Sequence, residues 1–355
     1  MNFESTKQSK VRNSNLELYR IICMLMIVAH HFVVNSGLTG QDGPLIIEPT
    51  NGNSIFLRVF GMWGKTGINC FLMITGYYMC TSKITPRKFV KLLAQVYLYN
   101  FVIFGVFLYF GYEHLSSWRI IILLSPFWEF KTNFTSCFIA FYLLIPFLNI
   151  LVQNMSEKQH RYLLGLLLFY YTICGSIPTF EITFNYITWF SVIYIIASYI
   201  RLYPQPLFNR NDLWRFFTIF SVLLATASVV VLLFTKPYPY FLISESNNVF
   251  AVLVAVTSFI WFKNLNLKHS KVINAIGGST FGVLLIHANS DAMRIWLWKD
   301  TLDVVGHYSL PLGRLVIFSL GGAFLVFAIC NIIDQLRVHI IEKPFFRWYD
   351  LKFDQ

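Results

Sequence analysis

Charge is what this sequence has least of. Of its 355 residues only 13% are Asp, Glu, Lys or Arg, against 56% hydrophobic, where a soluble domain carries roughly 25% charged residues. A water-soluble fold of this length has too little interior to hide so much apolar surface, so lipid is the solvent that remains. Acidic residues are scarcer than basic ones, 17 against 28, for a net charge of +11. In a soluble chain that balance would point to nucleic acid. Here the cations sit in short segments between apolar runs and read as topology signals, so no nucleic-acid partner is expected. Paired cysteines are also missing. Cys23, Cys70, Cys80, Cys137, Cys174 and Cys330 lie in or beside apolar runs, without the spacing of a zinc site or a disulfide framework, and each reads as a small buried hydrophobe. Neither a metal nor a permanently bound cofactor is expected. No small-residue cleavage site of the signal-peptide kind appears, so 1–15 reads as a retained polar segment ahead of the first span. There is no internal repeat, low-complexity tract or long linker.

What the chain has is long apolar runs and aromatic rings, 36 Phe and 19 Tyr among them. A helix needs about 20 apolar residues to cross the hydrocarbon core. Ten stretches qualify or come close: 17–35, 59–80, 89–111, 134–152, 162–177, 184–202, 213–235, 248–262, 272–289 and 312–333. The stretch 120–127 is too short to span and reads as re-entrant or interfacial. The expected fold is all-α, a polytopic membrane helical bundle of about ten transmembrane helices. Lys and Arg favour the cytoplasmic side of membrane helices. With the N-terminus inside, nineteen of the 28 basic residues fall on the cytoplasmic side and eight outside, Arg20 lying within the first span. Both termini are therefore expected in the cytoplasm, with a membrane domain over 16–340 and a cytoplasmic tail over 341–355. The loop 36–56 is the longest polar segment outside. It can lid an external site or have no role.

Ionisable residues inside spans are costly, and each is a functional hypothesis. The first span, NSNLELYRIICMLMIVAHHF, holds Arg20, His30 and His31. Eleven residues make about three turns, so Arg20 and His31 lie on nearly one face, about 16 Å apart along the axis, and are expected to look into one polar cavity. A guanidinium at Arg20 can hold a phosphate or carboxylate in its planar fork, or simply anchor the helix at the interface. An imidazole at His31 can take a proton from an attacking hydroxyl, or bridge two helices. His30 is turned about 100° away. In STFGVLLIH, His287 follows Thr280 by two turns, with Ser279 beside it, and its depth matches His31. Two histidines at one depth can frame one site; alone, His287 fits a structural hydrogen bond equally well. Gly61, Gly64, Gly67 and Gly76 let a helix or a ligand chain approach the second span, where Lys65 and Asn69 are polar entries. Arg87, Lys88 and Lys91 follow on the inside, as plain topology charge or as a cradle for an anionic donor. Glu342 and Pro344 close the last helix.

In order and spacing these segments resemble acyltransferase family 3, integral membrane proteins that include O-acetyltransferases of bacterial surface glycans. NSNLELYRIICMLMIVAHHF is similar to the family's first-helix Arg-x10-His, and GKTGINCFLMITGYYM to its glycine-rich second span, with Thr75 where serine is usual. KITPRKFVKLL resembles the basic segment that follows, with Lys88 and Lys91 where arginine is common. STFGVLLIH resembles the late serine-to-histidine motif, with Leu284 in place of a frequent tyrosine. IIEKPFFRW resembles the closing Glu-x-Pro. A mid-chain Trp and Glu common in members has no counterpart; TSCFIAFYLLIPFLN stands there and resembles a glycan-modifying subgroup.

The resemblance implies a membrane enzyme of the bacterial plasma membrane. Acetyl-CoA or another acyl-CoA would be the donor, and a surface polysaccharide or lipid-linked sugar the acceptor. It implies His31 as general base, Arg20 positioning the donor and His287 assisting. Arg20, Arg87, Lys88 and Lys91 would bind the donor, while His30, Lys65, Asn69, Ser279 and Thr280 stand near the acceptor. Two other classes fit ten helices with buried charge: a transporter or flippase of a lipid-linked glycan, and a sensing protein without chemistry. Transporters of this size often show two-fold repeats, and none is visible here.

Overall fold

Inside a bilayer no water satisfies backbone N–H and C=O groups, so an apolar chain crosses as helix. The computed structural model describes residues 12–125, 127, 133–235 and 239–353, and among these every regular element is helical. Lys7, Lys10, Lys131 and Lys236 of the charge count lie outside the described residues, as do Pro126 of the 120–127 stretch, most of the 1–15 segment and the last two residues of the tail.

In chain order the elements that matter here are α1 (Ser14–Val34), α2 (Gly52–Gly61), α3 (Gly64–Met79), α4 (Pro86–Tyr109), α5 (Ser117–Leu124), α6 (Phe134–Asn154), α7 (Glu157–Leu167), α8 (Tyr186–Leu202), α9 (Asn211–Leu233), α10 (Val249–Lys263), α11 (Lys271–Gly278), α12 (Thr280–His287), α13 (Asp291–Arg294), α14 (Leu312–Arg337) and α15 (Lys343–Phe353). Short polar side chains set most of the starts. Asn13, Thr85, Ser116, Asn133, Asn185, Ser270 and Ser290 each accept a hydrogen bond from a backbone N–H in the first turn of their helix. Ser156 and Gln159 form a reciprocal box ahead of α7. These bonds satisfy donors that no earlier carbonyl can reach. Pro86 opens α4, where a missing N–H leaves no bond unmade.

Each of the ten predicted stretches falls on helix, but among the described residues only α1, α4, α6, α9 and the continuous helical run Leu312–Lys352, which α14 opens, are both long and apolar enough to cross a membrane as one piece. Shorter apolar helices form at α8 and α10. The 59–80 stretch differs from expectation: it breaks at Met62 and Trp63 into α2 and α3. The cause is α1. Val33 crowds Gly61, the His30 ring lies against the α-carbon of Gly64, and His30 Nδ1 donates to the Gly61 carbonyl at 2.7 Å. The 162–177 stretch leaves α-geometry after α7 and ends in a π turn (Leu168–Ile173) and a 3-10 turn. The 272–289 stretch pauses at Ser279 between α11 and α12, then turns by 96° into the segment Asp291–Thr301. The 120–127 stretch forms α5, an eight-residue helix that packs on α4.

α1 is the central stave. It packs against α2, α3, α10, α11, α12 and α14, and two apolar cores meet on it. Tyr19 and Cys23 join Cys70 of α3, Trp189 and Tyr194 of α8 and Phe259 of α10. One to two turns on, Met24, Val28 and Phe32 join Val96 of α4, Val283 of α12 and Phe327 of α14. The glycines of α3 make the first contact close: a β-carbon on Gly67 would stand 2.9 Å from the Cys23 carbonyl oxygen, and one on Gly76 would stand 2.8 Å from Ala197 Cβ. The outward faces of α9 and α14 stay apolar, with Phe216, Leu223, Val231, Ile317 and Phe324 exposed, as lipid contact requires. In the loop 36–56, Leu38 and Leu45 are fully buried. Towards its end, where α2 begins, Asn53 donates to the Tyr308 and Leu310 carbonyls at 2.8 and 2.9 Å.

The close approach of His30 gives a direct test. Gly64→Ala inserts a methyl group into the His30 ring, an overpacking change worth about 1–3 kcal/mol. Gly105 has nothing within 4 Å of the same position. The unfolding midpoint in detergent should fall clearly for Gly64→Ala and hold for Gly105→Ala; equal midpoints would contradict the packing described.

Candidate active site

α1 and α12 carry His31 and His287 to the same depth. Their ring centroids are 5.1 Å apart, and His31 Nδ1 lies 2.9 Å from His287 Nε2. His287 is fully buried, with Nδ1 2.6 Å from the Val283 carbonyl oxygen one turn back on its own helix. A carbonyl only accepts, so His287 Nδ1 carries a proton and, in the neutral ring, Nε2 carries a lone pair. That lone pair accepts from His31 Nδ1–H. The proton order is therefore fixed by a backbone carbonyl: Val283 orients His287, and His287 orients His31. What remains is the lone pair on His31 Nε2, which makes no hydrogen bond among the described residues. Trp298, fully buried, stands edge-on to His287 and closes the far side of the pair.

His31 lines a cavity of about 430 Å³. The walls come from α1, α3, α4, α5, α6, α8, α12 and α13 and are rich in amides, hydroxyls and cations: Asn100, Asn133, Asn289, Ser136, Tyr186, Lys65, Arg119 and Arg294, with Asp291 and His30. Ile27 and Ile68 lie on its wall, and Phe134 and Leu284 give it apolar patches. Asn289 donates to Asn100 at 3.0 Å, holding two of the amides in place.

The candidates from sequence divide into three places. His30, His31 and Lys65 line the cavity, and Lys65 Nζ donates to the Tyr186 hydroxyl and lies 5.0 Å from that ring's centre. His287 stands behind them. Asn69, Ser279 and Thr280 do not line it. Asn69 is fully buried, donating to the Ser246 carbonyl at 2.6 Å and accepting from Trp189 Nε1 at 2.9 Å, so it ties α3 to α8. Thr280 donates to the Gly277 carbonyl at 2.9 Å, and Ser279 is buried at the joint between α11 and α12. Arg20 lies elsewhere. It does not line this cavity; the buried side chains of Cys23 and Met24 come between, so the expected cavity shared with His31 is not what the fold builds. Arg20 instead meets Glu17 at 3.4 Å, with a quarter of its side chain exposed.

The basic segment after α3 is tied to the end of the chain. Arg87 grips Asp350 with two nitrogens, at 2.5 and 2.7 Å, and lies over Phe346. Lys91 pairs with Glu342 at 2.5 Å. Lys88 donates to the Lys83 carbonyl at 2.7 Å. Beneath these lies a buried cluster that the sequence reading passed over. Asp334 Oδ1 accepts from Arg337 Nε and Tyr99, both at 2.8 Å, and from Gln95 at 3.1 Å, while Arg337 Nη1 donates to Glu342 at 2.7 Å. The signal was available: an Asp and an Arg three residues apart near the end of an apolar helix share one face. Arg119, Arg294 and Asn100, counted only as loop charge or span filler, are cavity residues.

A family model described as an acyltransferase domain matches residues 13–333, nearly the whole chain. No curated protein and no solved structure matches it.

Removing the carboxylate of Asp334 leaves Arg337 with Glu342 alone and takes the acceptor from Tyr99 and Gln95; breaking a buried ion pair costs about 3–5 kcal/mol. Asp350 and Arg87 are both part-exposed, where an ion pair contributes about 0–1 kcal/mol. Asp334→Ala should therefore lower the thermal midpoint far more than Asp350→Ala; comparable losses would show that the buried cluster does not hold α4 to α14.

Proposed function

This chain belongs to acyltransferase family 3, and on that premise we propose that it transfers an acetyl or other short acyl group from acyl-CoA to a hydroxyl of a cell-surface or lipid-linked polysaccharide. It is a membrane acyltransferase; the donor, the acceptor and the bacterial plasma membrane are the parts proposed. The observation that carries the reading is the oriented imidazole pair at the edge of a polar cavity. A base with its free lone pair towards a chamber lined by amides and hydroxyls suits a polyhydroxylated acceptor.

The reaction needs one proton moved twice. The acceptor oxygen attacks the thioester carbonyl as His31 Nε2 takes the hydroxyl proton. The resulting imidazolium keeps its Nδ1–H on the His287 lone pair, and the Nδ1–H of His287 stays on Val283, so a charge-assisted hydrogen bond stabilises the positive charge. As the C–S bond breaks, the Nε2 proton passes to the departing thiolate. The C–O ester forms, CoA leaves as the thiol and His31 is restored. Arg20, part-exposed at the other end of α1, is suited to the donor's phosphates, with Glu17 holding the guanidinium in register.

A membrane preparation given labelled acetyl-CoA and inspected for ester-linked acetate on surface glycan tests this. General-base loss typically costs about 10²–10⁴-fold, so His31→Ala should nearly abolish the label, and Arg20→Ala should raise the acetyl-CoA concentration needed for half-maximal rate. Unchanged labelling in both, with protein present in the membrane, would end the assignment. Orientation follows the same logic. Lys268→Cys should react with a membrane-impermeant thiol reagent only in opened cells and Lys299→Cys in intact ones; the reverse pattern would turn the bundle over.

A further inference from the structure

The cavity beside His31 carries more positive than negative charge. Lys65 on α3, Arg119 on α5 and Arg294 on α13 line it, and among the described residues on its walls Asp291 alone is acidic. Lys65 leans on a neutral partner, the Tyr186 hydroxyl and ring. Arg294 gives Nη1 to Asp291 at 2.8 Å, and Arg119 gives Nη2 to Glu113, off the cavity wall, at 2.5 Å. Nη2 of Arg294 and Nη1 of Arg119 make no hydrogen bond among the described residues and are not sealed from the surface. Each guanidinium thus keeps one carboxylate and has a nitrogen to spare, while the Lys65 ammonium has no acidic partner among the described residues, so the cations gathered here exceed their counter-charges by one.

An excess cation beside an apolar core is unfavourable on its own, because a charge drawn from water needs a counter-charge. Chance clustering along the sequence does not account for it, because the three come from three separate segments of the chain. Topology does not call for it either. On the orientation that the basic loops predict, only eight of the 28 Lys and Arg lie on this outer side, where they are disfavoured, and three of those eight converge on one cavity. A guanidinium fork fits the paired oxygens of a carboxylate or phosphate, and an ammonium adds a point charge.

We infer that the acceptor is an anionic glycan. A sugar unit bearing a carboxylate or phosphate is held by Lys65, Arg119 and Arg294, which set its neighbouring hydroxyl towards His31 Nε2. These three are specificity residues for the acceptor, and the inference rests on the reading of His31 as the base for a sugar hydroxyl. The same chemistry could serve the donor's diphosphate, so the test must separate acceptor from donor.

The full-length protein in nanodiscs of zwitterionic lipid provides the setting, with methyl β-glucuronide, methyl β-glucoside and CoA as probes. Binding is read directly, independent of turnover, and transfer from acetyl-CoA is read in parallel. The glucuronide should bind about tenfold tighter than the glucoside, one charge-assisted contact's worth, with an advantage that shrinks as salt rises. Arg294→Gln and Arg119→Gln should each reduce the glucuronide-to-glucoside ratio severalfold, and excess CoA should not displace the glucuronide. Equal binding of the two sugars, or a ratio unmoved by both substitutions in folded protein, would overturn the inference. So would competitive displacement by CoA, weakened by the same substitutions, which would give the cations to the donor. Glucuronide binding with no transfer in the wild type would count against the transfer reading while leaving the anion site; equal transfer to both sugars would do the reverse.

Discussion

Two imidazoles side by side in an apolar bundle, one fully buried and one at a cavity edge, are tolerable only if their N–H groups are satisfied, and the fold meets that constraint with one backbone carbonyl. Val283 accepts from His287, His287 accepts from His31, and a single lone pair is left at the cavity edge. Much of the architecture serves that line. α1 sits at the centre so that its far end can meet α12. α12 is short and is followed by a 96° turn, which brings Asn289, Asp291 and Arg294 back across the mouth of the cavity. The break between α2 and α3 lets His30 tuck against Gly64 and spend its Nδ1 on Gly61, which leaves His31 as the histidine of α1 turned to the partner ring.

A second constraint operates at the other end of the bundle. Asp334 and Arg337 would be a liability in lipid as isolated charges. They are instead joined to Tyr99, Gln95, Glu342 and, through it, Lys91, so α4 and α14 are clamped where the chain ends. Gly282 belongs to the same device, since the Asp334 carboxylate occupies the space a side chain there would need. The cluster and the imidazole pair lie at opposite ends of α12, one anchoring the bundle and the other presenting a base.

What could be read from the sequence was whatever depends on local spacing. Helical counting put His31 and His287 at one depth, and they touch. Glycines on α3 announced close packing, and Gly67 and Gly76 provide it. Tertiary partners were not legible. Arg87 reads as topology charge or as a cradle for an anion, and its pairing with Asp350, 263 residues away, could not be read from spacing. Asn69 reads as a polar lining residue until Trp189 and Ser246 take its amide. Arg20 and His31 share a helical face, but a face three turns long is divided by whatever packs against its middle, here Cys70 and its neighbours against Cys23. The broken second span escaped notice because hydropathy sees Met62 and Trp63 as apolar, while the break comes from the His30 side chain of another helix.

The central claim is that His31 acts through an order fixed by His287, so the two form one unit and not two independent aids. A double-mutant cycle on the acyl-transfer rate tests this most directly, with His31→Gln, His287→Gln and the pair together in protein shown to be folded. Groups that act as a unit are strongly non-additive. The account predicts that the double variant is no slower than His31→Gln alone. Losses that multiply, with the double variant slower by the product of the two single effects, would contradict it.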